Sequence, residues 1–471
     1  MDPEIAAFAR TFTTFLETVH QGITSDGSAL TSLGTRVRDF LGVELSQVDP
    51  VAEEFPSLRA VDVDLALQTI SAESAGTTIG VMGAQRAHVD SFQELLLRTH
   101  ANFEVGPVSY LSVPTGPDSE RRVIAFGIGL LTFDGVPLVV LQRAPNRRFG
   151  RDTYSLEVLC PNRDTLQVFL VKVRALMVQN SVLRGKVISF QTDDYGEQPM
   201  GSSMTFLERP EVSADQVILP EGVLDRIVRH VVGIGENRET LLAAGQHLKR
   251  GVLLYGPPGT GKTHVVRHLL SNTTGTTAIL LSGRTLALMN DATKLARATQ
   301  PSMVVLEDCD LVAESRGGDT NAVLFETLEA MDGLDGDADV TFMLTTNRPD
   351  LLERALAERP GRVDLAVEIG KPDQADRERL LDLYASDLLA AGHISDDAIS
   401  VAAERTPGVT ASFAKELIRR CVIDAAREDR PPRDADLLSA LDEMLSDAHA
   451  FTRTVLGGEA AGFLGGTYPI G

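Results

Sequence analysis

One stretch, Gly251-Val-Leu-Leu-Tyr-Gly-Pro-Pro-Gly-Thr-Gly-Lys-Thr263, restricts the fold of this 471-residue chain more than any other. Val252 to Tyr255 is an apolar run of strand character, a turn rich in Gly and Pro follows, and His264 to Leu270 has helical spacing. Gly256, Gly261, Lys262 and Thr263 fit the pattern G-x-x-x-x-G-K-[ST], which cradles phosphate when a strand precedes it and a helix follows. In such a loop the glycines let successive amide N–H groups turn inward, and the helix dipole adds positive potential at the same spot. Pro257, Pro258, Gly259 and Thr260 complete the turn, with His264 just beyond it. Lys262 has the reach to meet β- and γ-phosphates, and the Thr263 hydroxyl suits Mg²⁺. These residues imply a nucleoside triphosphate as ligand.

The strand-turn-helix unit is only part of the chain, because 471 residues exceed one ordinary core. Net charge is −22, divided between residues 1–208 (17 basic, 25 acidic, −8) and the remainder (27 basic, 41 acidic, −14). That balance speaks against nucleic acid as the partner, so none is expected. Three cysteines, Cys160, Cys309 and Cys421, lack C-x-x-C spacing, which implies neither a disulfide framework nor a zinc site and fits a reducing cytoplasm. The longest apolar run, Val123 to Leu141, is broken by Gly127, Gly129, Asp134, Gly135 and Pro137, so it reads as two strands around a turn and no membrane span is expected.

Taken in order, residues 1–192 read as an α+β domain. Helices are expected at 5–19, 30–41, 63–70 and 165–179, and strands at 108–113, 123–133, 137–143, 153–159 and 187–191. The cluster Arg143, Arg147, Arg148 and Arg151 suits an anion, a partner or a solvated hairpin edge. Residues 193–214 read as a linker. Alternating strands and helices over 215–372 imply a doubly wound parallel sheet, with strands ending in Tyr255, Glu307-Asp308-Cys309-Asp310 and Thr345-Thr-Asn347. Acids at the end of a parallel strand beside a phosphate loop sit where Mg²⁺ and an attacking water belong. Residues 373–448 read as all helical, and 449–471 as a Gly-rich tail.

The ordered set Gly256–Thr263, Met303–Asp310, Thr345–Asn347, Arg359-Pro-Gly-Arg362 and Thr406-Pro-Gly…Ser412 resembles the AAA ATPases over roughly residues 215–448. Leu306-Glu-Asp-Cys-Asp310 and Arg359-Pro-Gly-Arg-Val-Asp364 look most like the branch holding the mitochondrial translocase of the folded Rieske protein. The resemblance implies a P-loop domain with a helical lid, ATP and Mg²⁺ as ligands, and a homo-oligomeric ring, a hexamer. Under it, Glu307 and Thr263 hold Mg²⁺, Asp308 activates the attacking water, and Asn347 orients that water. Arg359 and Arg362 would reach into a neighbour's site, while Gly408, Ala411 and Ile218 flank adenine.

Two departures stand out. The usual acid order is Asp then Glu, whereas here it is Glu307-Asp308, and the shorter base lies farther from the γ-phosphate. The segment Ser282 to Asp291, where protein-unfolding members place a gripping aromatic, has none. The expected function is a ring ATPase that remodels or moves a protein client recognised by residues 1–192. The alternatives are a nucleotide-gated scaffold with slow turnover and, against the charge balance, a nucleic-acid motor.

Overall fold

The computed structural model describes residues 30–83, 89, 91–97, 103–146, 150–191, 203–310, 337–350 and 363–446. The chain divides into two units, Met1–Val182 with Tyr195–Gly201 and Leu183–Asp194 with Ser202–Gly471. The helix expected at 5–19 and the Gly-rich tail expected at 449–471 lie outside the described residues.

The first unit is built on an antiparallel sheet. Its strands are β1 (Val51–Pro56), β2 (Thr77–Met82), β3 (Glu104–Gly106), β4 (Ser109–Gly116), β5 (Ser119–Phe133), β6 (Val136–Arg143) and β7 (Thr153–Leu159). They lie in the order β1-β7-β6-β5-β2-β3, with β4 pairing the first half of β5. Alternate residues of β6 serve two cores: Leu138 and Val140 meet helices Ala60–Glu73 and Arg163–Gln179, while Val139 and Leu141 meet Ser32–Leu41 and Phe92–Leu96. A strand period of two sends successive side chains to opposite faces, so a run apolar at every position is what a sheet covered on both sides requires. Asn162 caps Arg163–Gln179 by accepting from the Asp164 and Thr165 amides.

The arginine cluster of this unit is structural where it is described. Arg143 is buried, pairs with Glu157 and donates to the Val89 carbonyl, which Arg151 also meets. Arg147 and Arg148 lie outside the described residues.

The second unit carries β8 (Val187–Gln191), β9 (Ser203–Leu207), β10 (Arg250–Tyr255), β11 (Thr277–Ser282), β12 (Ser302–Glu307), β13 (Val340–Thr346) and β14 (Leu365–Glu368). The sheet order is β14-β10-β13-β12-β11-β8-β9, parallel throughout except for the β8–β9 pair. Residues of β10, β12 and β13 are buried almost without interruption, as central strands covered on both faces must be. This confirms the doubly wound sheet expected from the sequence.

The domain boundary expected at residue 192 falls instead after Val182, and the segment expected to be a linker contains β9 and a turn at Ala214–Gln216. Val187-Ile-Ser-Phe190 has strand character that any sheet can use. Here its backbone pairs with the edge of β11, which would otherwise leave a row of N–H and C=O groups open.

A lid of helices Gln374–Tyr384, Ser386–Ala390, Asp396–Glu404, Ala411–Arg427 and Asp434–Leu445 closes around its own core, with Leu381, Ile399, Phe413, Leu417 and Leu441 inside. This fits the all-helical reading of residues 373–448, and the first two helices are separated at Ala385, which caps the first and precedes the second.

Candidate active site

The phosphate loop leaves β10 beside β13, and between these two strands the connections reverse, β10 leading on to β11 in one direction and β13 to β14 in the other. That is the crevice at which open α/β sheets bind ligands. Two glycines are dictated by space as well as by dihedral angle. Gly256 has φ 144°, and a Cβ there would lie 2.3 Å from the Ile369 carbonyl oxygen. Gly259 has φ 77°, and its Cβ would lie 2.8 Å from Ser412 Oγ. Thr260 donates to the Pro257 carbonyl at 2.9 Å and tightens the turn.

Lys262 is 6 % exposed, and its Nζ donates to the Gly256 and Pro257 carbonyls at 2.9 and 2.8 Å. Burial lowers its pKa, with the carboxylates of Asp308 and Asp310 opposing that shift from a distance. A buried ammonium answered by neutral carbonyls gains by meeting an anion, and the open side of the cradle offers the place for one.

The ends of β12 and β13 are cross-braced. The Asp308 amide donates to Thr345 Oγ1 at 3.0 Å, and the Cys309 amide to the Thr345 carbonyl at 3.0 Å. In return, Asp310 Oδ1 accepts from Thr346 Oγ1 at 2.9 Å and from the Asn347 amide at 3.1 Å. Between these ties Asp308 adopts φ 50°, a left-handed conformation that Asp tolerates better than most side chains. Its Oδ1 accepts from Asn347 Nδ2 at 3.3 Å. The base and the water-orienting amide expected from the sequence are therefore direct neighbours. Cys309 lies half-buried beneath them, its thiol pushed up to about 12 by burial and by Asp310.

Burial raises the pKa of Glu307, and a hydrogen bond from the Thr263 side chain lowers it. A hydroxyl beside one carboxylate suits Mg²⁺, which keeps several waters and takes its other oxygens from phosphate. Among the described residues no group of three or more His, Cys, Asp or Glu forms a self-sufficient metal cage.

A cavity of about 440 Å³ lies over the loop. Pro258, Gly259, Gly261, Lys262, Thr263 and His264 form its floor, and Asp308 and Asn347 one wall. The lid supplies another wall through Tyr384, Ala411, Ser412 and Lys415. The lid rests directly on the phosphate loop, for the Ser412 amide donates to the Gly259 carbonyl at 3.1 Å. His264 lines the cavity and its Nε2 meets the Gln216 carbonyl at 2.9 Å, tying the segment that leads to Ile218 onto the loop helix.

Ile218 packs against the lid core beside Tyr384 and Ala411. Neither it nor Gly408 is among the residues lining this cavity. Arg359 and Arg362 lie outside the described residues. Sequence reasoning missed three lining residues, Arg267, Tyr384 and Lys415, and named Ser412 only as the end of a motif. Arg267 is legible one turn beyond Thr263 on the same helix. Tyr384 and Lys415 have no local signal of their own; the lid, tied to the loop by Ser412 on Gly259, brings them in.

Phosphate loop, braced acids and lid together define a P-loop nucleotide-binding domain. Residues 252–371 match the family model described as ATPase family associated with various cellular activities (AAA). Over 274 residues the chain is 32 % identical to the ATP-dependent zinc metalloprotease FtsH 2 of Symbiobacterium thermophilum, covering 54 % of this chain and 43 % of that protein. It is 29 % identical over 269 residues to the proteasome-activating nucleotidase of Methanothermobacter thermautotrophicus, covering 53 % of this chain and 64 % of the relative. Proteasome-activating nucleotidase 2 of Haloferax volcanii is 33 % identical over 218 residues, 42 % of this chain and 52 % of that one. The matched region thus spans less than two thirds of each of these relatives. Residues 252–371 are thus an ATPase domain of the AAA type.

Proposed function

We propose that the chain is a Mg-ATP hydrolase that assembles into a homo-oligomeric ring, a hexamer, and spends hydrolysis on remodelling or moving a protein client. The observation that carries the hydrolytic reading is the pairing of Asp308 with Asn347 beside a buried, carbonyl-bonded Lys262. Lys262 and the loop amides hold the triphosphate, Asp308 accepts the proton of the attacking water, and Asn347 orients that water. Mg²⁺, held through Thr263 and Glu307, would neutralise charge building on the phosphate oxygens.

Arg359 and Arg362 are assigned to the neighbouring subunit's site, where a guanidinium offers fixed positive charge to the γ-phosphate. The unit Met1–Val182, with cores of its own, is assigned to the client. The named relatives, an ATP-dependent protease and proteasome-activating nucleotidases, work in protein turnover, which favours a protein client. Among the described residues no helix is long and apolar enough to cross a membrane. A cytoplasmic setting is proposed from the free thiols of Cys160, Cys309 and Cys421.

A second reading, a slowly turning nucleotide-gated scaffold, is favoured by one feature. Leu286, Leu288 and Met289, the apolar residues of the segment expected to grip polypeptide, are all buried. Phosphate release separates the two readings, with sustained client-stimulated turnover supporting the first. Mixing Lys262→Ala with Arg362→Ala subunits tests shared sites: activity recovered at intermediate ratios supports them, and none at any ratio sinks them.

A further inference from the structure

We propose that the first unit holds a binding site for a primary ammonium group on a short apolar stem, built around Asp64 and Gln142. A cavity of about 350 Å³ is lined by residues of the helix Ala60–Glu73 and of β2, β5 and β6. Small-molecule sites run from about 300 to 1,000 Å³. Exposed Gln68, Ala72 and Thr78 mark its open side, and Leu67, Leu131 and Val140 give it apolar walls. Asp64 and Gln142, 0 % and 3 % exposed, supply its buried polar groups. Gly129 of β5 leaves room here, for a Cβ on it would come no nearer than 3.8 Å to a neighbour.

Asp64 accepts from the Ile124 amide at 3.3 Å and from Gln68 Nε2 at 2.7 Å, yet forms no ion pair among the described residues. Arg121, the cation whose charge acts on it, directs its guanidinium to Gln68 Oε1 at 2.8 Å. Two residues away on the same helix, the equally buried Asp62 has what Asp64 lacks, the Arg59 guanidinium at 2.6 Å. Buried charges are ordinarily paired, and desolvation raises the Asp64 pKa in spite of its partners.

Gln142 adds a second under-used group. Tyr154 Oη lies 2.9 Å from the Ile124 carbonyl oxygen and 3.2 Å from Gln142 Oε1, and its one hydrogen serves one acceptor at a time. Gln142 Nε2 has no partner among the described residues. An acid without a counter-ion beside such an amide calls for N–H donors that carry positive charge. An ammonium fits better than a guanidinium, because both Asp64 oxygens already accept a hydrogen bond and present no open fork. Its three rotatable donors can serve Asp64 and the Gln142 carbonyl oxygen together, while the apolar walls take the stem.

The test titrates n-pentylammonium into the full chain by saturation-transfer NMR, with n-pentanol and pentanoate as controls of the same length. One charge-assisted contact predicts that the cation binds at least about tenfold tighter than the alcohol, and pentanoate should not bind. Asp64→Asn should cancel that preference, and Gly129→Val, which fills the cavity, should abolish binding of both. At neutral pH both variants should melt no lower than the parent, since one removes a buried charge and the other fills space. Equal affinity for cation and alcohol overturns the proposal, as does undiminished binding of the cation in either variant. Nα-acetyl-lysine N-methylamide distinguishes the sources of the group: its binding points to a lysine of a protein, its failure beside bound pentylammonium to a free amine. Lys262→Ala should leave amine binding unchanged, which keeps this outcome separate from that of the nucleotide site.

Discussion

Replacing Asp308 by Asn isolates its chemical role from its structural one. The position has φ 50°, and Asn is among the few residues that tolerate it. Asn also keeps a side-chain oxygen where Asp308 Oδ1 now accepts from Asn347 Nδ2, and the backbone tie to Thr345 Oγ1 is untouched. The variant should therefore fold with a stability change below about 0.5 kcal/mol and bind Mg-ATP like the parent. What it loses is proton acceptance. A positioned general base contributes about 10²–10⁴ in rate, or about 2.7–5.4 kcal/mol of barrier at 1.36 kcal/mol per factor of ten. Asp308→Ala differs, because it adds about 1–2 kcal/mol of left-handed strain and about 1 kcal/mol for the lost hydrogen bond. Steady-state phosphate release, calorimetric Kd and chemical unfolding of both variants read the three quantities separately. Should Asp308→Asn keep more than about a tenth of the parent rate, Asp308 is not the base.

Three further outcomes are expected. Gly256→Ala sets a Cβ 2.3 Å from the Ile369 carbonyl oxygen, so the loop must shift and nucleotide affinity should fall at least about tenfold by calorimetry. Asp339→Ala strands Arg250, which is 6 % exposed and pairs with Asp339 at 2.8 Å, and urea unfolding should show a loss of about 3–5 kcal/mol. Asp64 is buried, and desolvation raises its pKa above the unfolded value of 3.8. The folded state therefore holds that proton more tightly, and the associated stability is present below pH 3.8 and lost as pH rises through the folded pKa. Relative to the parent, Asp64→Asn should gain stability progressively over that rise; parallel unfolding curves from pH 3.5 to 7 (about that span) would refute the sign.

How far the site was legible follows from where its information is stored. Gly256 to Thr263 could be read because a phosphate cradle needs particular residue types at consecutive positions. Glu307, Asp308 and Asn347 could be read because each ends an apolar strand run, and strand ends line one edge of a parallel sheet. In the first unit, β5 and β6 were visible from apolar-rich runs and β7 from alternation. β1, with its Ala-Glu-Glu centre and mostly exposed residues, was not, and neither were the short β2 and β3.

By itself the sequence marked the phosphate loop and the sheet type: Gly-Pro-Pro-Gly-Thr-Gly-Lys-Thr can hold phosphate, and largely apolar strand runs alternating with helices fit a parallel sheet covered on both faces. Tertiary structure alone decided three matters: that β8, expected in the N-terminal domain, pairs with the edge of β11, that Asp308 is bent toward Asn347 by Thr345 and Asp310, and that Lys415 lines the cavity over the phosphate loop. The physical reason is that local patterns record which face of an element is buried, whereas partners across a sheet or a lid are chosen by whichever distant groups complete the hydrogen bonds and close the core.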